Sequence, residues 1–359
     1  MKFVPVRVVA ALTLVAGVSA VAANHVAAIT MPDPGVTGCD VLVTPSTALA
    51  GHTCLLPWPN DAFTKKANTA TGRQINLPLS GTPANTAGVH INPQFQNLND
   101  GFSPGSEIIV PVPGVSLANS SIATSQQLDT SDAMGSVSLI DATSGQHYPY
   151  WAELDAQDPN PADSLLLIHP ATNFIEGHRI VVVLSNLKDA AGNYLPEAPG
   201  MVSAMSGHTT RDLHLQYVMK QDLKNMYTSH LYMAWDFTVI SGGGNLSKLS
   251  ASNLADPALA MRTQMFKTIG DTPPVFKVLG SGLNRNGDYQ VNGIFQVPTF
   301  LKNCPTTQTN KFQDYSSSPN GQMPNNVYAS TNSGLCGAMN LDKNNLPLIE
   351  KTVYSSATK

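Results

Sequence analysis

Glu153, Asp155, Asp158, Asn160 and Asp163 crowd into the stretch ELDAQDPNPAD. Side-chain oxygens gathered on one loop are what Ca²⁺ takes as ligands, roughly six to eight at a time. The EF-hand spacing is absent, and Pro159 and Pro161 interrupt any regular frame. Asp155, Asp158 and Asp163 are therefore calcium candidates, set against the alternative of a solvated loop between strands. No other metal and no cofactor is expected.

The remaining chemistry is tested by spacing. An α/β-type serine hydrolase displays its nucleophile on a G-x-S-x-G turn between strand and helix. The chain has none; GVSLA at Gly114 lacks the closing glycine. H-E-x-x-H is absent, and no two histidines stand four apart. His208 and His214 bracket the start of a helix and are expected to be solvated or capping. A phosphate loop needs G-x-x-x-x-G-K-[ST], which GGGNLSK (Gly242 to Lys248) does not match. Asn186-Leu187-Lys188-Asp189 resembles a base-reading loop, but such a loop needs lysine directly after asparagine. No catalytic residue is assigned, and nucleotide binding is excluded.

Lys2 and Arg7, then the apolar run Val8 to Val18, then Ala20, Ala22 and Ala23, form a secretion signal with its cleavage site. Its loss removes two positive charges and takes the formal net charge from −4 to −6. No basic stripe is present, which argues against nucleic acid. The expected location is extracellular or periplasmic. Four cysteines, Cys39, Cys54, Cys304 and Cys336, fit two disulfides in that setting. Three pairings are possible; Cys39–Cys54 with Cys304–Cys336 is favoured because each closes a short local loop. No Cys-x-x-Cys and no histidine at ligand spacing supports zinc.

The elements that would hold such groups are mainly β. Residues 24–104 read as an irregular N-terminal wrap, with Trp58 plugged between two prolines in CLLPWPNDAFT. Residues 105–245 read as a sandwich of short strands: SEIIVPVPG as an edge, GSVSLIDATSGQHYPYWAEL as a hairpin turned at Thr143-Ser144-Gly145, then DSLLLIHP, HRIVVVLSNL and LYMAWDFTVIS. DAAGN supplies a turn in which Gly192 or Asn193 takes positive φ. A helical insert at about 203–229 interrupts the strands. It is announced by a capping box at Thr209 and Asp212, and its stripe is Leu215, Val218, Met219, Leu223 and Met226. Asp256-Pro257 starts another helix that ends at Gly270, with Met261, Met265 and Ile269 expected to face a core. Residues 246–359 then hold this helix, a strand pair turned at Asn286-Gly287, and a Cys-clamped tail. Trp58, Tyr148, Tyr150 and Trp151 are weighed as an aromatic platform for glycan or lipid.

Taken in order, CLLPWPNDAFT, TGRQINLPLS, NDGFSPGSEIIVPVPG, YPYWAELDA, HPATNFIEGHRIVVVLSNLKDAAGN, YMAWDFTVIS and AMRTQMFKTIGD resemble the N-terminal region of secreted bacterial lipase-like proteins of the virulence-factor type. Ser106 to Ser241 also resembles a bacterial Ig-like domain. The resemblance implies an Ig-like β-sandwich with a helical insert, followed by part of an α/β-hydrolase-like portion introduced by VNGIFQVPTFL. It implies a lipid, ester or glycan ligand and a monomer. The family's G-H-G loop and its serine match no residue here, so this reading is a non-catalytic portion lacking a C-terminal catalytic domain. The alternative is a stand-alone extracellular or cell-surface Ig-like binding module.

Overall fold

The apolar run in the middle of the chain settles the architecture. Ile180 to Leu184 are all fully buried. A strand with one wet face alternates, whereas one covered on both faces does not. In the computed structural model, residues 30–36, 38–43, 54–129, 135–156, 165–224, 229–270, 276–303, 335–349 and 351–358 are described. For 276, 294–297, 301–303, 335–338 and 351–358 the description covers the backbone alone. The chain divides into Met1–Met31 and Pro32–Lys359, and the strands and helices belong to the second unit.

Its strands are β1 (Thr64–Lys66), β2 (Arg73–Ile75), β3 (Ile108–Pro111), β4 (Val137–Asp141), β5 (Tyr150–Leu154), β6 (Leu165–Pro170) and β7 (Arg179–Ser185). Two helices come next, α1 (Pro199–Ser206) and α2 (Thr210–Tyr217), the latter running into a π-turn at Val218–Asp222. Then come β8 (Leu231–Thr238), α3 (Asp256–Ile269), β9 (Phe276–Leu283), β10 (Tyr289–Thr299), β11 (Leu301–Asn303), β12 (Leu335–Met339) and β13 (Lys351–Thr358). The described protein is mainly β, and the strands within its sheets run antiparallel. Among the described residues, no helix is long and apolar enough to cross a membrane.

Two three-stranded sheets, β3-β6-β5 and β4-β7-β8, share one hydrophobic core. The first keeps the period of two: Ile108, Val110, Leu166, Ile168, Tyr150 and Ala152 are buried, while Ile109, Leu167 and Trp151 are only half-buried. The second is covered on both sides. Trp235 and Phe237 on one face of β8 meet Pro59, Phe102 and Phe174. The opposite face of β8 packs against α1 and the π-turn.

The expected hairpin is half right. Tyr148 N donates to the Leu139 carbonyl, and Gly145 turns the chain at φ 77°. The returning strand, however, leaves β4 and pairs with β6 in the other sheet, while β4 pairs with β7. The pattern of VSLID explains why: all five residues of β4 are buried, Ser138 included, so no wet face marks where its partner lies.

The wrap is part of the core. Leu42, Phe63, Ile75, Leu77 and Phe102 join the central cluster, and Trp58 exchanges backbone hydrogen bonds with Ile109 at 2.8 and 2.9 Å, extending β3. Cys39 and Cys54 form a disulfide; Cys304 and the Cys336 side chain lie outside the described residues. Gly200 in α1 is forced by this wrap, because a Cβ there would stand 2.1 Å from the Val41 carbonyl oxygen.

The insert starts a little earlier than expected, at Pro199, and its capping box at Thr209 and Asp212 is formed. Leu215, Val218 and Leu223 are buried as the stripe requires, Met219 is half-buried, and Met226 lies outside the described residues. For α3 the expectation fails. Met261 and Ile269 are half-buried and Met265 is exposed; the helix buries only Asp256 and Ala260. Asp256 does not cap its own helix either. Its carboxylate accepts from Gly244 N, Ser250 N and Asn253 Nδ2, fixing the preceding loop.

Candidate functional site

Three groups of titratable side chains stand out. The largest lies under α2. Asp236 breaks the apolar run of β8 and is fully buried. Its Oδ1 accepts from His214 Nε2 at 2.7 Å, and its Oδ2 from Arg179 Nη1 at 2.9 Å. Arg179 also grips Asp222 through both terminal nitrogens, at 2.8 and 2.9 Å. His214 Nδ1 faces the Pro32 carbonyl at 2.9 Å. Both partners of the ring, a carbonyl and a carboxylate, are hydrogen-bond acceptors. Burial alone would raise the Asp236 pKa; the charge and hydrogen bond of His214, with Arg179 and Arg211, outweigh it and hold the carboxyl well below the usual range.

The same cluster reaches into the wrap. Arg211, one turn before His214, places Nε and Nη2 on Asp40 at 3.0 and 2.8 Å, and Nη2 on Asn60 Oδ1 at 3.0 Å. Its Nη1 is buried with no hydrogen-bond partner among the described residues. Asp61 accepts from Thr238 N at 2.9 Å and Thr238 Oγ1 at 2.6 Å. Burial and then the Asp236 charge push its pKa up, and Arg73 with the Thr238 hydrogen bonds offsets that only in part. Since Asp40, Asp61, Arg211, His214 and Asp236 are all buried, no substrate reaches them. The network bolts residues 32–64 to α2 and β8.

The second group has half the geometry of a catalytic triad. His178 Nδ1 is 2.7 Å from Asp141 Oδ2, and Asp141 Oδ1 accepts from Thr143 N and Ser144 N at 2.8 and 3.2 Å. Burial opposes ionisation of Asp141, yet the His178 hydrogen bond and those of the turn bring its pKa down. The base is oriented and part-exposed, as a triad demands. Among the described residues no serine, threonine or cysteine side chain is hydrogen-bonded to His178, and the nearby Tyr148 hydroxyl is taken by Ile175 N at 3.0 Å. The pair ties the end of β4 to the start of β7.

The third group lies on the outer face of β3-β6-β5. Trp151 and His169, cross-strand partners on β5 and β6, stack with ring centroids 3.7 Å apart and planes 16° apart. His169 Nε2 lies 3.4 Å from Glu153 and 3.5 Å from Glu107. The group braces three strands. Tyr148 and Tyr150 are buried and Trp58 is packed against Phe102, so the four aromatics make no common platform.

Asp155 sits just after β5, with its backbone N–H on the Leu165 carbonyl. Asp158 and Asp163 lie outside the described residues. Among the described residues no three His, Cys, Asp or Glu side chains gather as a metal site. His214, expected near solvent, is a buried member of the network, while His208 is exposed. The signal for His214 is in the helix period: positions 211, 214, 215 and 218 share one helical stripe, so Arg211 and His214 fall on the buried face beside Leu215 and Val218. No family model, no curated protein and no solved structure matches the chain.

Proposed function

We propose that this chain is the secreted, non-catalytic scaffold of a larger lipase- or esterase-like hydrolase, and that its two central sheets form an Ig-like sandwich. The observation that carries this reading is a set of exposed apolar side chains on the C-terminal third. Phe266 on α3 is 53% exposed; on the hairpin, Leu279, Leu283 and Tyr289 are 61, 74 and 69% exposed. The strands before Ser241 bury most of their apolar side chains, so the contrast lies within one chain. Apolar area of this kind marks a surface that meets another body, here a catalytic domain. The unfinished Asp141–His178 pair agrees with catalysis lying elsewhere. The scaffold acts as a monomer within that assembly, and its ligand is a lipid or ester.

The test is hydrolysis of p-nitrophenyl butyrate by the purified chain. No turnover above buffer is expected. Turnover abolished by a serine-directed inhibitor overturns the scaffold reading. In parallel, binding of a hydrophobic dye should fall at least threefold in the double variant Phe266→Asp, Leu279→Asp; unchanged dye binding removes the proposed docking surface.

A further inference from the structure

An apolar cleft of about 320 Å³ opens beside the start of α3, away from all three titratable groups. That volume falls at the lower end of the roughly 300–1,000 Å³ typical of small-molecule sites. Its apolar walls are Phe95, Leu98, Pro257, Met339, Leu341 and Pro347.

Each wall is held in place. Leu98 ends a 3₁₀ turn, Gln96–Leu98, whose Asn97 side chain bonds both the N–H and the carbonyl of Leu77, at 2.8 and 3.2 Å. Pro257 follows Asp256, whose carboxylate fixes three groups of the preceding loop. The turn between Leu341 and Pro347 is closed by Asp342, which accepts from Asn344 N and Leu346 N at 2.8 and 2.9 Å. Gln264 on α3 then clamps that turn, donating to the Pro347 carbonyl and accepting from Ile349 N at 3.0 Å. A cleft with three fixed walls loses little order when it is filled.

The polar lining residues are Asn99 and Asn345. The backbone N–H and carbonyl of Asn99 and the backbone N–H of Asn345 are bonded, but neither side-chain amide has a hydrogen-bond partner among the described residues. No charged residue lines the cleft. Asp342, next to Leu341, spends its carboxylate on the turn. A charged head group seated here would lose water without gaining a counter-charge. A neutral head that both donates and accepts is matched by the two amides.

We infer that this cleft binds a medium-length acyl chain carrying a neutral primary amide head, with the chain between Phe95 and Met339 and the head at Asn99 and Asn345. The inference stands whether or not the chain belongs to a hydrolase, because it requires binding and no turnover.

The test uses the full chain labelled at methionine methyl groups with ¹³C, the Met339 signal being assigned with Met339→Leu. Titration with octanamide is expected to move the Met339 methyl resonance saturably. Sodium octanoate at neutral pH is expected to bind at least tenfold more weakly. Leu341→Trp, which fills the cleft, is expected to weaken octanamide at least tenfold. Phe95→Ala, which trims an exposed rim ring and leaves the fold intact, is expected to weaken it by at least threefold. A Met339 signal that never saturates, octanoate binding as tightly as octanamide, or unchanged affinity in Phe95→Ala would each overturn the assignment.

Discussion

Asp236 and Asp61 are both buried carboxylates on one network, yet their surroundings predict opposite responses to the same substitution. Asp236 stands between His214 Nε2 and the cationic Arg179 Nη1. Asparagine has one acceptor where two are needed, so Asp236→Asn must aim its NH₂ at a donor. It also removes the negative charge that Arg179 and Arg211 face. Breaking a buried pair in this way costs about 3–5 kcal/mol, which lowers the melting midpoint by on the order of 10 °C. Asp61 faces one donor, Thr238 N, one hydroxyl that can either give or accept, and, at 3.9 Å, Arg73 Nε, whose guanidinium has its closer partner in Asp33 at 2.9 Å. Asp61→Asn keeps both contacts, with Oδ1 on Thr238 N and Nδ2 on Thr238 Oγ1, and removes a charge that repels Asp236. Its expected cost is under about 1 kcal/mol.

Urea unfolding at pH 7, followed by far-ultraviolet circular dichroism, separates the two. The pH dependence checks the signs. The folded pKa of Asp236 is depressed, so its stabilisation is present above about pH 4 and is lost as pH falls from there towards the folded value. Asp236→Asn should therefore flatten the acid limb below about pH 4. The folded pKa of Asp61 is raised, so its contribution is present below about pH 4 and is lost as pH rises through the raised value. Asp61→Asn should remove that loss. If Asp236→Asn costs no more than Asp61→Asn, the role of Asp236 as the anchor of this network is refuted.

Three further outcomes are expected. Replacing Cys39 and Cys54 by serine opens a loop of 15 residues, worth about 3 kcal/mol in the chain-entropy picture; hydrogen exchange should rise at Leu42 and Phe63 before it rises in β7, and an even rise throughout would contradict the separate role of the wrap. Gly200→Ala drives a methyl group against the Val41 and Leu42 carbonyls and should lower stability by about 1–3 kcal/mol; a neutral result in thermal melts would mean that α1 does not seat on the wrap. Calcium should leave the melting midpoint unchanged relative to chelator, and a rise of several degrees would instead assign the loop of Asp155, Asp158 and Asp163 as a calcium site.

The legible and the hidden parts of this fold divide by distance along the chain. Local signals act within a few residues, and these were readable: the Thr209–Asp212 capping box, the Asn286-Gly287 turn, and the DAAGN turn, where Asp189 Oδ1 takes the N–H groups of Ala191 and Asn193 and Gly192 adopts φ 86°. Strand pairing is non-local, and the β4-β7-β8 sheet carries no alternation to orient it, because helices cover the face that water would otherwise mark. For the same reason Asp236, the one charged residue of YMAWDFT, carries no local sign that it is buried. The register supplies one. Asp236 pairs with Val181, both fully buried, on the face under α2. Arg211 and His214 sit 25 and 22 residues earlier in sequence, and only the tertiary fold brings these two basic side chains to the acid. A lone acid in an apolar strand and a basic pair on an apolar helix stripe are each anomalies; each is explained by the other, and neither period alone would have paired them.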